Sequence, residues 1–143
     1  MSTEGERVGI LTVENAQTVQ SWTDRKTGFT LKTGDPVLEI SLLEKPPGPL
    51  RTEATKSLHQ LADYIAQLPV KPEVILALTY QKMSRFSSHF GFQVADIDLP
   101  PKVIENEIAH REQFEGFNGK IPQEVLLIYQ KTDDILLKYK KTP

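Results

Sequence analysis

The sequence predicts an α+β domain: a mixed sheet with an antiparallel N-terminal meander, a central βαβ unit and antiparallel strands at the C-terminal end. Three observations lead there. The run Val74-Ile75-Leu76-Ala77-Leu78 is apolar on both faces, as a strand covered on both sides must be. Ahead of it, Ala54, Leu58, Leu61, Ala62, Ile65 and Leu68 fall on one stripe of an amphipathic helix. Residues 7–43 break into short β-rich segments separated by turn chemistry, the spacing of hairpin-linked strands.

Taken in order, residues 1–6 are expected to be disordered, and Arg7–Val13 is apolar enough for a buried strand. The second half of Glu14–Thr23, with Val19 and Trp22, predicts another. Asp24–Gly28 is a turn, Phe29–Leu31 alternates, and a second turn spans Lys32–Pro36. Val37–Leu43 is the next strand. Lys45-Pro46-Pro47-Gly48-Pro49 is a loop, because its prolines fix φ and remove donors. The helix spans Thr52–Leu68, with Thr52 as N-cap, Glu53 in the first turn and Pro69 ending it. Strand 37–43, this helix and strand 74–78 make the βαβ unit. A helix over Tyr80–Phe90 stops at Gly91, a C′ glycine. Phe92–Leu99 alternates as a strand. Pro100-Pro101 starts a third helix with Val103, Ile104, Ile108 and Phe114 on its apolar side, and residues 115–122 are loop. Val125–Lys131 and Ile135–Tyr139 read as a hairpin about Thr132-Asp133-Asp134.

The chain has 143 residues, enough to bury a core as one domain over 1–143. A net charge of −2 from 17 basic and 19 acidic residues leaves no electrostatic footprint for nucleic acid. The absence of cysteine excludes thiol catalysis, disulfides and thiolate-bound zinc. The opening MSTEGERVG lacks the apolar centre of a signal peptide, and no apolar run approaches the roughly 18 residues of a membrane span. A soluble, cytoplasmic protein with no membrane partner and no metal is the expectation. Lys138, Lys140 and Lys141 read as a solvated basic end.

The order of elements, together with Phe86-Ser87-Ser88-His89-Phe90-Gly91-Phe92, resembles the GCN5-related N-acetyltransferase (GNAT) superfamily over roughly residues 37–99. Those enzymes carry an apolar strand, a helix ending in a pattern like F-Y-x-K-L-G-F, and a further strand. The resemblance implies an acyl-CoA N-acyltransferase-like fold, acetyl-CoA or another acyl-CoA as donor, and a small-molecule amine or a protein as acceptor. It implies cofactor held along strand 37–43 and the turn into the long helix, at Leu42, Leu43, Arg51, Thr52 and Thr79. It also implies that strand 37–43 splays from strand 74–78. Glu39 is the candidate base near that edge. The family's tyrosine general acid is replaced by Ser87, leaving Tyr80, earlier on the helix, as the candidate acid. The family's phosphate-binding turn is glycine-rich; Pro47–Ala54 has one glycine, two prolines without N–H groups, and Glu53. The alternative is a non-catalytic α+β binding or homodimerisation module that has lost the cofactor-binding turn.

The remaining candidates carry less chemistry. His59, His89 and His110 lack metal-ligand spacing and read as surface or half-buried side chains. Glu105, Glu107, Arg111 and Glu112 read as a solvated charged face. Asp96 and Asp98 point off one side of their strand, either as a carboxylate pair or as an exposed face. Ser88 and His89 are helix neighbours about 100° apart and cannot form a dyad. Thr79 and Tyr80 lie just past a strand's carboxyl end, where ligands gather in α/β sheets.

Overall fold

The computed structural model describes residues 6–42, 48–113 and 120–140. Gly9 takes φ +60°, so residues 7–13 are not the single strand their composition predicts. They turn back as a two-residue hairpin of β1 (Glu6–Val8) and β2 (Leu11–Gln17), with Val8 opposite Leu11. β3 (Trp22–Thr23) and β4 (Thr30–Leu31) form a separate two-stranded ribbon around the Asp24–Gly28 turn. β5 (Pro36–Leu42) lies antiparallel to β2 along its whole length.

The long helix α1 (Leu50–Ala66) begins two residues before Thr52, which is therefore not the N-cap. Pro49 holds that place at φ −57°, where its fixed ring and missing N–H cost nothing. Ser57 on its buried side accepts the Ile10 N–H at 2.9 Å, seating the first hairpin on the helix. β6 (Val74–Thr79) returns parallel to β5 and completes the βαβ unit. It is followed by α2 (Gln81–Ser88) and β7 (Gln93–Val94).

β7 is two residues long where alternation predicts a strand over 92–99. The segment after it leaves the sheet because the ribbon turn captures it. Arg25 N–H donates to Asp96 O at 3.1 Å, and Asp96 N–H donates to Asp24 Oδ1 at 3.1 Å. α3 (Pro101–Glu112) precedes β8 (Leu126–Lys131).

The predicted terminal hairpin is instead a strand and a helix, α4 (Thr132–Tyr139). Thr132-Asp133-Asp134 is its first turn, with both carboxylates at the positive end of the helix dipole. It buries Thr132 at its start and Ile135 and Tyr139, four residues apart on one face.

The main sheet has the order β1-β2-β5-β6-β8-β7, antiparallel throughout except at β5–β6. One face carries the core around Leu38, Leu61, Ile75 and Ile135, under α1 and α4. The other carries Val37, Val74 and Tyr129, covered by the ribbon's Trp22, Phe29 and Leu31 and by Ile97 and Leu99. The chain is thus a mixed α+β structure with four helices among the described residues. None of these helices is long and apolar enough to cross a membrane. The disorder expected at residues 1–5, the loop residues 45–47, Phe114, the loop over 115–119 and Lys141 lie outside the described residues; Glu6 opens β1.

Candidate functional site

β5 and β6 pair only at Val37–Val74, Leu38–Ile75 and Glu39–Leu76. Each then runs on for three residues with a partner on its outer side alone. Ile40–Leu42 pair with β2, and Ala77–Thr79 pair with β8. Two parallel strands that part in mid-sheet leave their facing edges without a strand partner, and the Thr79 carbonyl at the end of β6 is taken by Arg111 instead. A cavity of about 440 Å³ fills the opening.

Its walls follow from strand alternation. Ile40 and Ala77 belong to the α1 face, while Leu76 and Leu78 belong to the opposite face. Leu50 and Ala54 of α1 and Met83 and Ser87 of α2 flank it on one side. Glu39 stands where the strands part, directly opposite Glu14 in the β2–β5 register, and both carboxylates line the cavity. Burial pushes the Glu39 carboxyl up, and the neighbouring Glu14 charge pushes it further. Among the described residues neither carboxylate forms an ion pair.

Tyr80 precedes α2 in extended conformation at φ −129°, half-buried on the cavity wall. Beneath it lies Arg111, which is not on a solvated face as its charged neighbours suggest but only 3% exposed. Its guanidinium donates from Nε to Glu107 Oε2 at 2.8 Å and from Nη1 to the Pro122 and Glu124 carbonyls at 2.7 Å each. Nη2 donates to the Thr79 carbonyl at 3.0 Å, and the cation sits 5.6 Å from the centre of the Tyr80 ring. The Glu124 side chain in turn accepts the Gln81 N–H at 3.0 Å, capping α2. The signal was in the spacing: Arg111 is seven residues after Ile104 and three after Ile108, on the helix's apolar side.

Of the residues the sequence singles out, Glu39, Thr79 and Tyr80 meet at this cavity, and His110 joins them on the α3 side. Arg51 and Thr52 are exposed in the first turn of α1 and do not line it, although Leu50 and Ala54 beside them do. Leu42 is in register with Leu11; its side chain, and Leu43 entirely, lie outside the described residues. At the start of α1, no side chain caps the helix. Glu53 folds back there, with Oε1 3.3 Å from where a Cβ on Gly48 would stand.

The Asp96–Asp98 pair is engaged by a side chain of the ribbon turn. Arg25 takes both, at 2.9 Å and 3.2 Å. His59 Nδ1 lies 2.6 Å from the Tyr139 carbonyl, and His89 is exposed away from the cavity. Among the described residues no group of three acidic or histidine side chains is placed to hold a metal ion.

What fold and site define together is a mixed α+β chain whose one parallel strand pair opens into an apolar cavity with carboxylates at its fork. No protein-family model matches the chain, and no curated protein matches it.

Proposed function

We propose that the chain is a GNAT-like N-acyltransferase, using acetyl-CoA or another acyl-CoA to acylate a small-molecule or protein amine. The observation that carries this is the parting of β5 and β6 at Glu39 and Leu76 around an open cavity. Strand edges that lack a strand partner on both walls suit an extended, amide-bearing arm such as pantetheine, which would extend the ladder that ends at Glu39 and Leu76. That part of the donor fits. The turn before α1 offers less. Pro49 has no N–H, and the Glu53 carboxylate lies where phosphate would approach. The nucleotide end would then rest on Arg51, Thr52 and the first-turn N–H groups.

The donor supplies an acyl group on a thioester. Glu39, its carboxyl pushed up by burial and by the Glu14 charge, accepts the proton that the amine nitrogen loses as the C–N bond forms. Leu76 and Leu78 give the cavity its apolar wall beside Glu39, whose side chain stays open to solvent at the mouth. As the C–S bond breaks, the Tyr80 hydroxyl returns a proton to sulfur. Arg111 holds Tyr80 and the end of β6 in place.

A non-catalytic binding or dimerisation module is the second reading, and Glu53 folded over Gly48 favours it. Thermal melting with coenzyme A and acetyl-CoA separates the two. A ligand at 100 times its Kd stabilises by about 2.7 kcal/mol, several degrees for a domain of this size. Absence of any shift at millimolar acyl-CoA would remove the enzyme reading and leave the module.

A further inference from the structure

The cavity reaches past the strands into the core beneath α1. Leu58, Phe90, Phe92 and Ile128 are core residues, 4%, 8%, 6% and 4% exposed, yet all four line it. Interiors pack as densely as organic crystals, so an opening among core side chains is space that the chain has left for something else. Ala54 on α1 and Ala77 on β6 border it, small side chains at positions where a leucine would take up part of the space. A benzene-sized ligand occupies a cavity of roughly 150 Å³. The whole opening is about 440 Å³, shared between the slot that the amide arm would follow and the part that reaches these core side chains.

Resting on the acyltransferase reading above, we infer that this inner chamber takes the acyl chain, and that the donor carries a chain longer than acetyl, in the butyryl-to-octanoyl range. The amide arm lies along the polar edges of the parted strands, the thioester carbonyl stands at the fork beside Glu39, and the hydrocarbon tail lies against Phe90, Phe92 and Ile128. Each methylene moved from water into such a chamber tightens binding about fourfold.

Calorimetry on the full chain with acetyl-, butyryl-, hexanoyl- and octanoyl-CoA, and with the matching N-acetylcysteamine thioesters, tests this. Affinity rising about fourfold per methylene and then levelling supports the chamber. Ala77→Leu and, independently, Ala54→Leu fill it, and either should erase the preference for hexanoyl over acetyl. Circular dichroism confirms which of the two variants is folded. Equal affinity for acetyl and hexanoyl donors in the unaltered protein overturns the chamber while leaving acyl-CoA binding intact. Binding of hexanoyl N-acetylcysteamine without any coenzyme A thioester keeps the chamber and removes the nucleotide from the reading. Failure of both series overturns both.

Discussion

Asp24 is a carboxylate with no exposed surface and, among the described residues, no basic partner, held instead by four donors. Tyr129 Oη donates to Oδ2 at 2.6 Å, Thr27 Oγ1 donates at 3.0 Å, and the Lys26 and Asp96 N–H groups donate at 2.9 and 3.1 Å. Burial alone would raise its pKa, but these donors outweigh burial and hold it at about 2. The same burial, with the bond to Asp24, pushes the Tyr129 hydroxyl up to about 12. Because the folded value lies below the ordinary 3.8, this stabilisation is complete above pH 3.8 and is lost as pH falls through about 2. Asp24→Ala should cost about 3 kcal/mol at neutral pH in urea titrations. It should also flatten the acid limb of the stability curve; an unchanged limb would show that other carboxylates govern acid unfolding. Glu39 has the opposite sign. Its raised pKa means the folded chain binds that proton more tightly, so stability falls as pH rises above the ordinary 4.5. Glu39→Gln should therefore melt no lower than the parent at pH 7 while reducing acyl transfer by about 10²- to 10⁴-fold. Glu14→Gln should move the acid limb of the rate profile to lower pH. A Glu39→Gln protein that retains full activity would assign the base elsewhere.

Among elements, the joint of β6, α2, α3 and the segment before β8 turns on Arg111, which satisfies three backbone carbonyls and one carboxylate at once. Arg111→Ala strands those acceptors and leaves Glu107, whose side chain is only 16% exposed, without its cation. The expected loss is about 3–5 kcal/mol, with Arg111→Lys intermediate because an ammonium cannot reproduce the planar fork. A loss below about 1 kcal/mol in denaturant titration would mean that the joint is held by apolar packing instead. Gly91 closes α2 at φ +100°, and a Cβ there would stand 2.5 Å from Gln130 Oε1. Gly91→Ala should thus cost about 2 kcal/mol or more, since the backbone strain and the displaced Gln130 amide add. The check is a lower urea midpoint at unchanged slope. Elements of this kind were legible in the sequence where one signal was long or unambiguous: the α1 stripe, the β6 run, the Gly91 stop. They are ambiguous where five residues have to decide. Ile135–Tyr139 suits strand or helix by composition, and what settles it is Asp133 and Asp134 at a helix start. Arg7–Val13 hides its hairpin in a single glycine.

For the molecule as a whole, the site is a property of how two sheet halves meet, which no local pattern encodes. Glu39 and Tyr80 could be singled out because they end or follow strands, but the short ladder between β5 and β6 is a matter of register. The spacing places Arg111 on the apolar side of α3, but its partners, 11, 13 and 32 residues away, are a matter of the fold. The sheet consists of β1-β2-β5 and β6-β8-β7, joined by three register pairs near Pro36 and Glu73 and bridged on one face by α1 and α4. An interface that is closed at one end and open at the other makes protection against hydrogen exchange uneven. In the free protein, slot-facing amides of residues 40–42 and 77–79 should exchange far faster than those paired at 37–39 and 74–76. Amides directed at β2 and β8 should stay protected, which separates an open slot from general fraying of β5 and β6. A bound acyl-CoA should slow the slot-facing amides specifically, because its arm supplies the partners that the opposite strand does not. Uniform protection along Pro36–Leu42 and Val74–Thr79 without ligand would mean that the strands zip shut in solution. Protection that rises everywhere except at 40–42 and 77–79 would place the ligand outside the fork, and the proposed chemistry at Glu39 would fall with it.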